Sequence, residues 1–173
     1  PMTSLNPLRT IGYHLKEVID RYYDLDKEGA KKLMVEQLNK VRINNPLKVL
    51  GSYPHELSGG MIQRIMISLA LLKKPKLLVA DEPTTALDVT IQAQILEIIR
   101  DLNAKEDLTV IFVSHDLGVI RDICHEVKVM YDGKILEEAP SQDLFSNPRH
   151  KYTQELLKAI PTGKNKERLY EMD

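Results

Sequence analysis

The chain has 173 residues, with 24 Lys and Arg against 25 Asp and Glu, so no bulk positive field draws it towards nucleic acid. Hydrophobic residues make up 43% and charged residues 28%, the balance of a globular chain with a real core rather than of a disordered or fibrous one. A single cysteine, Cys124, excludes an intrachain disulfide framework and suits a reducing compartment, and no apolar run approaches the roughly 18 residues that suggest a membrane span.

Pro1 to Pro7 reads as a loop, with two prolines among Thr3, Ser4 and Asn6. Ile11, Leu15, Val18, Ile19 and Tyr22 then mark one face of a first helix, which Asp24 to Lys27 ends. Ala30, Leu33, Met34, Gln37, Leu38 and Val41 outline a second helix with charged residues opposite, so the two make a small amphipathic pair. Asn44, Asn45 and Pro46 break the second helix, Leu47 to Leu50 adds a turn, and Gly51 to Pro54 leads into the stretch that organises the chain, His55 to Asp88.

Ser58, Gly59 and Gly60 have the composition of a helix start whose backbone N–H groups stabilise an anion, although Ser before two glycines is more often a plain cap. Ile62, Ile65, Leu69 and Leu72 follow at helical spacing, and Lys73, Lys74 and Pro75 close that helix. Lys76 to Ala80 predicts a buried strand, with Asp81 and Glu82 at its carboxyl end, where open α/β sheets bind ligands. Asp88 suits the N-cap of a helix from Val89 to about Ala104. Leu108 to Val113 predicts a fully buried parallel strand, and His115 follows it on the same carboxyl-end rim. A short helix from Asp116 to Cys124 precedes a hairpin in which Val127–Tyr131 and Lys134–Glu138 flank Asp132-Gly133. Ser141 to Phe145 and Tyr152 to Ile160 read as two last helices separated by Asn147-Pro148, and Gly163 to Asp173 is polar and expected to fray.

The order Leu-Ser-Gly-Gly, helix, strand, Asp-Glu-Pro and Ala86-Leu87-Asp88 resembles the ATP-binding-cassette (ABC) ATPases. LSGGM, ending at Met61, is similar to their signature, LLVADE to their Walker B strand, Ala86-Leu87-Asp88 to their D-loop, and Ser114-His115-Asp116 to the segment of their switch histidine. YPHELSGG resembles the version found in dipeptide, oligopeptide and nickel importers, and NPRHKYTQELLKAIP resembles those proteins' C-terminal extension, with Lys151 where that branch usually has Pro. No stretch fits the phosphate-cradling G-x-x-x-x-G-K-S/T loop, so the chain is expected to be the later part of a longer protein and to lack activity by itself.

The resemblance implies an α/β fold, part of a P-loop NTPase cassette with a helical subdomain, parallel strands, a C-terminal β-hairpin and a helical extension. It divides the chain at 1–50 (glutamine-loop remnant and helical subdomain), 51–139 (the later part of the ATPase core) and 140–173 (the extension). It assigns Glu82 and His115 to catalysis and Asp81 to Mg²⁺, through water. Ser58, Gly59, Gly60 and Met61 would meet ATP held by an opposite subunit, Met61 standing where many cassettes have a hydrogen-bonding Gln, and Asp88 would serve the D-loop. Successive side chains on an extended strand point opposite ways, so Asp81 and Glu82 can divide these tasks. The implied partners are transmembrane permease subunits, a second ATPase subunit and, indirectly, a solute-binding protein. Nucleic acid is not among them, and the implied place is the cytoplasmic face of the inner membrane. Two other readings stand beside this one: a soluble cassette ATPase acting on DNA or ribosomes, and a domain without a P-loop that only binds a partner.

Overall fold

The computed structural model describes residues 4–85, 87–106 and 108–159. The chain forms two compact units, one ending at Ile111 and the other starting at Phe112.

The first unit opens with helices whose starts are all side-chain capped or proline-led. Thr10 Oγ1 accepts the Tyr13 amide at 3.3 Å ahead of α1 (Ile11–Tyr22), and Asp26 Oδ1 accepts the Gly29 amide at 2.8 Å ahead of α2 (Lys27–Lys40). Ile11, Leu15 and Ile19 of α1 and Ala30, Met34, Gln37 and Leu38 of α2 are buried, the faces their spacing predicts, while Tyr22 stays half in solvent. α3 (Pro46–Gly51) begins on Pro46, after Asn45 in the left-handed region at φ 53°. It runs so close to α1 that a Cβ on Gly12 would stand 2.8 Å from the Leu50 carbonyl oxygen, so only glycine serves there.

A short 3₁₀ turn (Pro54–Glu56) leads into α4 (Gly59–Leu71), which Lys74 terminates with φ 47°. β1 (Leu77–Asp81) follows, then α5 (Val89–Lys105) and β2 (Thr109–Val113), the hydrogen-bonded neighbour of β1. A helical crossover of this length is what a parallel pair requires. Ile62, Ile65 and Leu72 from the α4 region and Ile95, Ile98 and Ile99 from α5 are essentially sealed from solvent. Each such side chain contributes about 1.5–3 kcal/mol of burial.

The strands depart from expectation. Leu77 and Val79 are 50% and 60% exposed, and Ile111 and Val113 are 49% and 46% exposed, so neither strand is fully buried. An apolar, β-branched run normally marks a strand covered on both faces. Here Ala80 is buried while Leu77 and Val79 of β1 meet no covering layer among the described residues.

In the second unit, Asp116 Oδ1 accepts the amides of Gly118 and Val119 (2.9 and 3.2 Å) to start α6 (Leu117–Ile123). β3 (Glu126–Tyr131) and β4 (Lys134–Pro140) pair antiparallel, with Val127 opposite Ala139, Tyr131 opposite Lys134, and an irregularity after Val129. The two-residue turn is the one Asp-Gly predicts, Asp132 and Gly133 both having positive φ (48° and 72°). Ile120, Val127, Val129 and Leu144 form the core, with Cys124, Phe145, Tyr152 and Leu156 packed on it. Cys124 is therefore a half-buried apolar side chain whose thiol pKa burial pushes up.

α7 (Ser141–Ser146) and α8 (Lys151–Lys158) complete the described chain. The Glu137 carboxylate anchors the start of α8, accepting the Arg149 and His150 amides at 2.7 and 3.0 Å. His150 Nδ1 in turn accepts the Tyr152 amide. Ile160, the frayed segment expected over Gly163–Asp173, Pro1 to Thr3 and Ala86 lie outside the described residues. Among the described residues no helix is long and apolar enough to cross a membrane.

Candidate functional site

Ser58, Gly59, Gly60 and Met61 form the first turn of α4. Ser58 is the N-cap, its exposed Oγ accepting the Met61 amide at 3.4 Å, so the plain capping role is realised. A hydroxyl that accepts still has its own proton to donate. The Gly59 and Gly60 amides, at the first two helical positions, have no intrahelical acceptor, and the helix dipole is positive here.

The two glycines are present for different reasons. Gly60 is buried, and a Cβ there would stand 2.4 Å from Cγ2 of Ile91, an impossible contact. Gly60 is therefore required by the packing of α4 on α5. A Cβ on Gly59 would meet only Leu87 Cδ2, at an ordinary 3.5 Å. Nothing described around Gly59 demands glycine, which leaves its bare backbone open to an approaching group. These contacts bring the start of α4 against Leu87 and Ile91, on either side of Asp88. Asp88 caps α5, its Oδ1 accepting the Ile91 amide at 2.9 Å.

Asp81 is the last residue of β1 and is exposed. Glu82 lies beyond the strand, with φ 47°. The alternation expected of a strand continuing through both carboxylates therefore stops at Asp81. For a residue with a side chain the left-handed region costs about 1–2 kcal/mol, and Pro83 further restricts the residue before it. Glu82, Pro83, Thr84 and Thr85 make a turn closed by the Thr85 amide on the Glu82 carbonyl at 3.2 Å, and Thr85 Oγ1 donates to Glu82 Oε2 at 2.6 Å. Non-glycine residues held this way concentrate at functional positions.

His115 belongs to the second unit and is exposed between Ser114, whose Oγ accepts the Asp116 amide at 3.0 Å, and the α6 cap. The other seven candidates, Ser58, Gly59, Gly60, Met61, Asp81, Glu82 and Asp88, belong to the first.

Sequence reading missed a set of cations that ties α2, α4 and α5 together. Arg42 donates to Glu97 at 2.6 Å and to Asp101 at 2.9 Å, while Lys40 pairs with Glu106 at 2.7 Å. Arg64 of α4 donates to the Arg42 carbonyl at 3.2 Å and to Gln94 of α5. The Arg42 guanidinium holds the Glu97 and Asp101 carboxyls below their ordinary pKa values, and burial, with Arg42 nearby, lowers that of Arg64. The partners of Arg42 lie more than fifty residues downstream, beyond any local pattern. Its own φ of 57° at the end of α2 has no glycine to announce it.

An anion of phosphate size fits the start of α4: one exposed hydroxyl, two amides without intrahelical acceptors, and at Gly59 a bare backbone whose only near neighbour among the described residues is Leu87 Cδ2. A divalent cation that keeps most of its waters needs only one or two carboxylates from the protein, a demand the exposed Asp81 meets.

Residues 4–85 match the ABC transporter family, and residues 136–173 match the oligopeptide/dipeptide transporter C-terminal region. The oligopeptide transport ATP-binding protein OppD of Bacillus subtilis (strain 168) is 52% identical over 162 residues, 94% of this chain and 45% of that protein. The dipeptide transport ATP-binding protein DppD of Escherichia coli (strain K12) is 46% identical over 170 residues, 98% of this chain and 52% of that protein. Among solved structures, the dimeric ATP-binding cassette MJ0796 in a post-hydrolysis state bound to ADP and Pi superposes with a TM-score of 0.69 at 29% identity, over 80% of this chain and 59% of that one. The chain thus spans about half the length of the curated relatives it matches, and its fold is that of part of an α/β ATP-binding cassette. With a cassette match at residues 4–85 and a peptide-transporter match at residues 136–173, the chain is similar along nearly its whole length to the ATP-binding proteins of oligopeptide and dipeptide transporters in the ABC transporter family.

Proposed function

We propose that this sequence serves, within a protein of its relatives' length, as the ATP-hydrolysing, energy-coupling subunit of a peptide importer. The observation that carries this reading is the succession in one compact unit of a Ser58-capped helix with bare amides, a strand ending on Asp81, the strained Glu82 and an Asp88-capped helix. The peptide-transporter match at residues 136–173 supports peptides as the cargo class, with nickel as the second candidate. Residues 1–50 act as the helical surface for the permease, 51–139 as the later part of the ATPase core, and 140–173 as the peptide-importer extension.

Ser58 donates its hydroxyl proton, and Gly59 and Gly60 their amides, to the phosphates of ATP held by a second cassette. Met61 adds only its backbone and apolar bulk, since a thioether donates no hydrogen bond. Asp88 keeps its capping bond while its loop faces the partner cassette. Asp81 is the residue that would hold Mg²⁺ through its waters, and the ion would supply neutralisation of phosphate charge there. Glu82 accepts a proton from the attacking water, and His115 donates a hydrogen bond to the phosphate being transferred. Work at the cytoplasmic face of the membrane proceeds through permease subunits, with the solute-binding protein acting indirectly.

Glu82→Gln in the full-length protein tests the assignment. It keeps size and polarity while removing the basic oxygen, so hydrolysis should fall on the order of 10²–10⁴-fold. ATP should then persist between two cassettes, giving a dimer on size-exclusion chromatography in ATP and monomers in ADP. Hydrolysis at the wild-type rate by Glu82→Gln would show that the base lies elsewhere.

A further inference from the structure

The turn after β1 contains a side-chain contact for which the roles assigned above have no use. Thr85 Oγ1 donates to Glu82 Oε2 at 2.6 Å, while the Thr85 amide closes the same turn on the Glu82 carbonyl. Pro83 and Thr84, between them, are buried and root the turn in the protein, whereas Thr85 is exposed and Glu82 half-buried. Proline at the second turn position fixes its φ, so residue i+3 is returned to residue i with little freedom. The left-handed backbone at Glu82, φ 47°, then sets the direction in which its side chain leaves the strand end.

A glutamate has three rotatable side-chain bonds, and a base at the end of such a chain is effective only when it is held within reach of its proton. We propose that Thr85 is a positioning residue: its hydroxyl fixes the plane and direction of the Glu82 carboxylate for the attacking water. A carboxylate offers about four acceptor sites, so the bond from Thr85 does not by itself exclude a water. The Thr85 proton stays on its oxygen throughout, and Thr85 touches neither water nor phosphate. The inference rests on the reading of Glu82 as the base.

The test uses the full-length protein assembled with its permease. Thr85→Val keeps the branched shape and removes the hydroxyl. Its kcat should fall about 10- to 100-fold, the loss expected when a charge-assisted orienting bond is removed. The KM for ATP should stay within about twofold, because nucleotide binding is not touched. The ATP-dependent dimer should still form, and Thr85→Ser, which restores the hydroxyl, should bring kcat back to within about threefold of wild type.

An unchanged kcat in Thr85→Val, a rise in KM alone, or failure of Thr85→Ser to recover the rate would each overturn the proposal. If the valine variant proves unstable on thermal melting, Thr85→Ala gives the same comparison without the extra methyl groups. Glu82→Gln, measured alongside, separates the two levels of argument. A wild-type rate in Glu82→Gln removes the base assignment and this inference with it. An inactive Glu82→Gln beside a fully active Thr85→Val removes this inference alone.

Discussion

The start of α4 and the end of β1 are built on opposite principles. At Ser58 the backbone does what its residues prefer: a serine caps, glycines open the helix, and the cap has extended dihedrals (φ −68°, ψ 157°). At Glu82 the backbone is held where a glutamate does not prefer to be, by a buried Pro83-Thr84 pair and a closed turn. The first arrangement suits a surface that must be ready before its ligand arrives. The second places one carboxylate at the expense of local stability, as sites that position a reacting group commonly do.

The same contrast explains what could be read from the sequence. α4, the Asp88 cap and the Asp132-Gly133 hairpin follow from short-range chemistry, and all three stand as their residues predict. The left-handed φ of Glu82 gave no such signal, because no Gly or Asn marks it. The exposed faces of β1 and β2 were equally illegible: Leu77, Val79, Ile111 and Val113 have the composition of buried strand, and composition cannot report whether a covering layer is present. The Arg42 contacts with Glu97 and Asp101 are long-range and charged, so hydrophobic periodicity passes over them. The pairing of Ser-Gly-Gly with Ile91 was hidden too. Both glycines have the composition of a helix start open to an anion, but only the packing shows that one of them is reserved for a neighbouring helix.

Substitutions along α4 sharpen the comparison, beginning with the largest expected change in stability. Gly60→Ala forces a methyl group to within 2.4 Å of Ile91 Cγ2, so Ile91 or the helices that carry the two residues must shift. Overpacking of this kind costs about 1–3 kcal/mol, read as a lowered denaturation midpoint. The loss should shrink in an Ile91→Ala background, because the two sites are in contact and their effects couple. Equal losses in both backgrounds would mean that the Gly60 requirement lies elsewhere. Ser58→Ala comes next, at about 1 kcal/mol for a lost N-cap, and it should also weaken the ATP-dependent dimer of the full-length protein. A stability loss with an unaffected dimer would reduce Ser58 to a cap.

Gly59→Ala carries the smallest change in stability, and its sign is the decisive part. The new Cβ meets only Leu87 Cδ2 at 3.5 Å, an ordinary contact, and the backbone at this first helical position is already one that alanine adopts. Alanine also loses less conformational entropy than glycine on folding, so the variant should be more stable by a few tenths of a kcal/mol, opposite in sign to its neighbour. Function should move the other way. If a phosphate approaches the bare backbone of Gly59, the methyl group stands in its path, and the full-length Gly59→Ala protein should need more ATP to dimerise even though its fold is firmer. A stability gain with undiminished ATP-dependent dimerisation would leave the second glycine of the pair explained by packing and the first by neither packing nor ligand. A stability loss would mean that the start of α4 is more crowded than the 3.5 Å clearance at Leu87 indicates.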